Sequence, residues 1–172
     1  GLFPELAAYD CLTCHRPIGT DGDYQPRAGV APGSLSLNDA PLVVLRALAR
    51  VAAPAEAERL RAHSHALQSV LADTAQRDRV LEKLKNRVVV LAKAMENRVE
   101  QPGDVQAVLT SLAAEAQTEQ PLAFAAAESI AMSAATLLTA DYEQQGLSAE
   151  RYEQASKALD QVYAAVGDER SY

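Results

Sequence analysis

The chain has only two cysteines, and they stand three residues apart with a histidine directly behind them: Cys11-Leu12-Thr13-Cys14-His15. Shuffling the same composition produces this arrangement in roughly one case in 5,000, so the spacing carries information. Residues i and i+3 share one face of a helix, so both thiols can form thioethers with the two vinyl groups of one porphyrin. The next residue is then held beneath the ring, where its imidazole binds the iron from the proximal side. The preceding residues suit a short helix that would position this motif. Pro4 fits a first turn, Glu5 complements the positive end of the helix dipole, and Leu2 or Phe3, Leu6 and Tyr9 make an apolar stripe. Pro17 stops the helix after His15.

Other chemistries use two cysteines at this spacing. A thioredoxin-like dithiol needs a strand-to-helix junction, and no strand-helix-strand pattern surrounds residue 11. A zinc centre could draw on His63 and His65, although H-x-H departs from the finger spacing and sends its imidazoles to opposite helix faces. A structural disulfide gives His15 no role. Covalent haem is the reading that uses all three residues.

On these residues the chain resembles a monohaem c-type cytochrome, over about fifteen positions ending at His15. Class I cytochromes c also lead an N-terminal helix into C-x-x-C-H, then supply an axial methionine from a loop. Here the only methionines, Met95 and Met132, lie in helical stretches, and the motif is N-terminal, unlike that of cytochrome c′ bundles. The resemblance implies one covalent haem c, held by Cys11 and Cys14 with His15 as proximal iron ligand, and leaves the subfamily open. It also implies translocated apoprotein, hence a periplasmic or extracellular site in a bacterium. Gly1-Leu2-Phe3-Pro4 has neither a basic n-region nor a long apolar h-region, and reads as the start of a processed chain.

The sixth iron position has candidates of known ligand type in His63, His65, Met95 and Met132, with a less usual Lys or Tyr, a partner's ligand or an open site as alternatives. Helix phase favours His63. It stands three residues after Leu60 and four before Leu67, in the apolar stripe Leu60, Leu67, Val70, Leu71, whereas His65 points about 200° away. A neutral imidazole in that stripe needs a partner for its nitrogen, and iron would be one. Met95 reads as a gap-filling core residue. Arg16 and Arg27, with Tyr24, are candidate partners for the haem propionates, as are Arg46 and Arg50 one turn apart on the next helix. Solvated surface arginines are the plain alternative.

The elements that must hold this site are helical. Five of eight glycines and five of eight prolines lie within residues 1–41, so 1–40 reads as a haem-attachment arm, a short helix and an irregular loop, packed as one domain with a helical bundle over 41–172. The bundle is expected to hold about five helices. Asn38-Asp39-Ala40-Pro41 starts one with the stripe Leu42, Leu45, Leu48, Ala49, and Pro54 starts another running to about Asp73. Leu81, Leu84, Val88, Leu91 and Met95 form a heptad seam between Thr74 and Gln101, suited to the domain's own core or to a coiled coil between chains. Pro102-Gly103 breaks the chain before a helix with Val105, Val108, Leu109, Leu112 and Ala116. An Ala/Ser-rich helix runs from Pro121 to about Gln145, and Gly146 ends it. Ser148 caps the last, whose stripe is Tyr152, Ala155, Leu159, Val162, Val166.

Composition bounds the rest. Aromatics at 5% disfavour an all-β fold, and a net charge of -7 disfavours nucleic acid and anionic membranes as partners. No apolar run reaches the roughly 18 residues of a spanning helix. The expected function is electron carriage between redox protein partners in an extracytoplasmic chain or membrane-associated complex, not catalysis, and homo-oligomers are compatible with it. The alternatives are a haem-based gas or redox sensor and a docking subunit of a larger redox complex.

Overall fold

In the computed structural model residues 9, 37–71, 73–98, 101, 103–117 and 124–167 are described. Among them the chain forms six α-helices and no strand: α1 (Ala40–Ala52), α2 (Pro54–Ser69), α3 (Thr74–Glu96), α4 (Asp104–Ala116), α5 (Phe124–Glu143) and α6 (Ala149–Gly167). The all-α expectation holds. The expected count is about five, and the six helices correspond to the six segments named from the sequence; a single residue, Ala53, ends α1 and precedes Pro54 at the first position of α2. Proline lacks the N–H that would continue α1 and has the φ that starts α2, so one residue suffices to fold the chain back. The short helix expected before Cys11 lies outside the described residues, except for Tyr9.

Helix α1 is the centre of the molecule. One face packs on α2 and α3, where Ala49, Ala57, Leu60, Leu67, Leu84 and Leu91 are buried, with Leu42, Leu45 and Val88 at the margin. Its other face packs on α4 and α5 through Ala40, Val43, Ala47, Val108, Leu112, Ala126 and Ile130. Four leucines dominate the first core, whereas the second has three alanines and two valines beside Leu112 and Ile130. Among the described residues α5 is the one helix against which α6 packs extensively, anchored by a stack of Tyr142 on Tyr152 with ring centroids 4.5 Å apart.

The heptad seam of α3 is shorter than its pattern. Leu84 and Leu91 are buried, whereas Leu81 and Met95 at its ends are exposed. Helix α3 has 23 residues against 16 in α2, an overhang of about 10 Å, so Met95 extends past the helix that would cover it. The turn after α5 uses Gln145 in the left-handed region (φ 62°) rather than a glycine. Gly146 follows, its N–H donating to Asp141 O at 2.8 Å while Gln145 N–H donates to Tyr142 O at 3.0 Å. These two bonds satisfy carbonyls of the last turn. A Cβ at position 146 would meet the Asp141 carboxylate, so a larger residue there requires that side chain to move.

Candidate functional site

Cys11, Cys14, His15, Arg16, Tyr24 and Arg27 lie outside the described residues, so the site is built from the side that would receive them. Tyr9, two residues before Cys11, pairs with Leu37 in an antiparallel bridge. Leu37 packs against the leucine core and donates its N–H to Gln68 Oε1 on α2 at 2.7 Å. The chain therefore leaves for the motif and returns from it at one place, on the flank of α2.

Helix α2 buries Glu56, Ala57, Leu60, Ser64 and Leu67. Ser64, not His63, fills the inward position between Leu60 and Leu67, which corrects the expected stripe. A helix held between α1 and α3 buries the row 57, 60, 64, 67, and His63 lies about 100° from Ser64 around the axis. His63 is half-buried on the flank that carries Glu56 and Arg59. Its Nδ1 makes a 2.6 Å hydrogen bond with Arg59 O. A carbonyl only accepts, so Nδ1 bears the proton, and in the neutral ring Nε2 keeps its lone pair. Metal-binding histidines are oriented in this way. His65 is exposed, as its phase predicts, and stands three residues before Gln68, on the side where the arm begins. His63 and Gln68 flank the buried face of α2 on opposite sides, about 140° apart.

Both methionines lie on helices, as expected, but Met95 is not the core residue that its heptad position predicts. Met95 is 37% exposed at the overhanging end of α3, and Met132 is 57% exposed on the outer face of α5. Neither plugs a core gap.

Arg46 and Arg50 are not solvated surface residues. Arg46 donates to Glu115 Oε2 from Nη2 at 2.9 Å and from Nε at 3.3 Å, and Arg50 Nη2 lies 2.7 Å from Oε1. Glu115, on α4, is 2% exposed. Two turns of α1 are thus clamped to α4 by one buried carboxylate, which leaves Arg46 committed to the interior. A second buried carboxylate, Glu56, is paired with Arg59 and lies 3.6 Å from Arg87 Nη1 on α3. Sequence reasoning missed both. The signal was present, since Glu115 falls three residues after Leu112 and seven after Val108, on the buried stripe of α4.

Among the described residues no group of three or more His, Cys, Asp or Glu is placed to hold a metal ion, and no helix is long and apolar enough to cross a membrane. Comparison with known protein families, with curated proteins and with solved structures returns no match for this chain.

Proposed function

We propose that the chain is a monohaem c-type cytochrome that carries electrons in an extracytoplasmic redox chain or complex, facing redox protein partners on the periplasmic or outer side of a bacterial membrane. The observation that carries this reading is Cys11-x-x-Cys14-His15, a spacing that suits two thioethers and a proximal imidazole and little else at once. Two features of the helical part support it. The Tyr9–Leu37 bridge and the Leu37–Gln68 hydrogen bond fix the base of the motif-bearing segment against α2. The Nδ1–H of His63, held by the Arg59 carbonyl, leaves Nε2 as the ligating atom.

Bound haem c supplies a one-electron iron couple. Cys11 and Cys14 would hold it covalently, and His15 and His63 would ligate its iron. Arg16 and Arg27 remain proposed donors to its propionates, a role from which Arg46 is withdrawn by its clamp on Glu115. Two imidazoles close the iron to small molecules and set a lower potential than a His/Met pair. That suits a carrier.

Reduced and oxidised absorption spectra with a pyridine haemochrome assay test the reading. A haem released from neither Cys11 nor Cys14 by acid-acetone extraction, low-spin and unaffected by CO, is the expected result. Absence of covalent haem after expression with a haem-ligation system would overturn it, and a high-spin iron that binds CO would favour a sensor. His63→Ala is expected to open the iron to CO. An unchanged spectrum in that variant transfers the ligand role to His65, whose replacement is then the next test.

A further inference from the structure

Charge and exposed apolar groups divide between two sides of the molecule. Helix α3 carries six basic residues against three acidic ones, whereas the α5–α6 hairpin, residues 124–167, carries six acidic against two basic. Among the described residues the exposed large apolar side chains fall on the same two places: Leu81, Val89, Val90 and Met95 on α3, and Met132, Tyr142, Val162 and Tyr163 on α5–α6. Helix α3 packs on α2 and to a small extent on α1, and α6 packs on α5, so the two surfaces belong to different faces of the bundle.

On α3 the residues Arg79, Lys83, Asn86, Val90 and Lys93 follow one another at spacings of 4, 3, 4 and 3 and form one solvent-facing row. All five are exposed. The lysines of this row and Arg79 have no ion-pair partner among the described residues; the neighbouring acid Glu82 is taken by Lys85, at 2.9 Å. On α5 the residues Glu128, Met132, Thr136, Thr139 and Glu143 form a second exposed row at spacings of 4, 4, 3 and 4. Glu128 and Glu143 likewise have no ion-pair partner among the described residues. The rows span about 21 Å and about 22 Å. Set antiparallel, they bring Lys93 opposite Glu128, Val90 opposite Met132, Asn86 opposite Thr136, Lys83 opposite Thr139 and Arg79 opposite Glu143. Cations meet anions at both ends, and the two apolar side chains meet next to one of them.

We propose that these rows are the two halves of one interface, through which the α3 face of one copy of this chain docks on the α5 face of another. The contact is heterologous, since each copy presents a different surface to each neighbour, so association proceeds head to tail and is not confined to a dimer. One helix against one helix is a small interface, and its ends are charged. The association is therefore weak, at about 100 µM or above, and is suppressed by salt.

Sedimentation velocity of the purified chain, from about 10 µM to 1 mM in low salt, tests this. The average mass is expected to rise with concentration and to return to that of a monomer in about 0.5 M NaCl. A chain that stays monomeric throughout in low salt, or that associates irrespective of salt, overturns the proposal. The direction of docking is tested by two charge-reversed variants, Arg79→Glu/Lys83→Glu/Lys93→Glu and Glu128→Lys/Glu143→Lys, each checked for helicity by circular dichroism. Either alone is expected to be monomeric, because both of its faces then carry one sign. An equimolar mixture is expected to associate, because each face of one variant is complementary to a face of the other. Self-association of either variant at the level of the unaltered chain, or a monomeric mixture, overturns it.

Discussion

The two halves that share α1 solve the same packing problem with different side chains. Against α2 and α3 the core is four leucines, Leu60, Leu67, Leu84 and Leu91, with Ala49 and Ala57. Against α4 and α5 it is three alanines and two valines, Ala40, Ala47, Ala126, Val43 and Val108, with Leu112 and Ile130 as the large side chains. The polar groups follow suit. Each half buries one glutamate between two arginines, but Glu56 draws one partner from its own helix, and its arginines, Arg59 and Arg87, are 52% and 37% exposed. Glu115 takes both partners from α1, and its arginines are 11% and 33% exposed. Both clusters join two helices, α1 to α4 and α2 to α3, but only the Glu115 cluster holds one of its arginines, Arg46, in the interior.

Removing the carboxylates tests that contrast most strongly. Glu115→Ala leaves Arg46 charged inside the α1–α4 contact without a partner, a change that costs about 3–5 kcal/mol in comparable cases. Glu56→Ala frees two arginines that already reach water, and its cost is expected to be less than half as great. Urea denaturation of the two variants measures both. Equal losses would show that the Arg46–Glu115–Arg50 cluster is no more structural than the Glu56 pairs.

Substituting the cores comes next. Leu91→Ala, at a position with no solvent exposure, is expected to lose about 2–5 kcal/mol through lost burial and a residual cavity. The same substitution has no counterpart at Ala47, which is already small and equally buried. There the sensitive change is Ala47→Leu, which forces α4 or α5 away and is expected to cost about 1–3 kcal/mol. A harmless Ala47→Leu would mean that this side of α1 has room to spare and that its alanines are not set by close packing.

Much of this architecture was legible because its punctuation is local. Pro54 and Gly103 act on backbone geometry within a residue or two, so these breaks fall where the sequence puts them. Gly103, at φ 91°, and Gln145, at φ 62°, mark two helix boundaries. What was not legible depends on neighbours distant in sequence. The phase of α2 is set jointly by α1 and α3, and that choice puts Ser64 inward and His63 on the flank. The burial of Met95 depends on how far α2 extends beside α3. Glu115 is a buried charge only because Arg46 and Arg50, 69 and 65 residues earlier, lie opposite it. The candidate site divides in the same way. Cys11, Cys14 and His15 form a motif within five residues and announce themselves, whereas a second ligand to the proposed haem iron is a matter of tertiary position.

The smallest expected effect distinguishes the two halves by the kind of group that holds a carboxylate at a helix start. Asp73 begins α3 on the leucine side. The backbone N–H of Gln76, donating to Oδ1 at 3.0 Å, followed by the Gln76 side chain, holds its carboxyl below the ordinary value. Asp104 begins α4 on the other side. There the Arg98 guanidinium, at 2.6 Å, and then the Gln101 N–H lower it. In both cases the folded state binds the proton less tightly than the unfolded chain, whose aspartates titrate near about pH 3.9. The stabilisation from each is thus complete above that pH and is lost as pH falls through the depressed folded value. Asp73→Asn keeps an acceptor for Gln76 N–H but does not titrate, so it should flatten the fall in urea midpoint between about pH 4 and pH 2 at any ionic strength. Asp104→Asn should flatten it chiefly in low salt, because its main partner is a charge and about 1 M salt screens that pair. If both variants respond to salt alike, the neutral cap of α3 and the ion-paired start of α4 are not held by different forces, and the division between the halves stops at their cores.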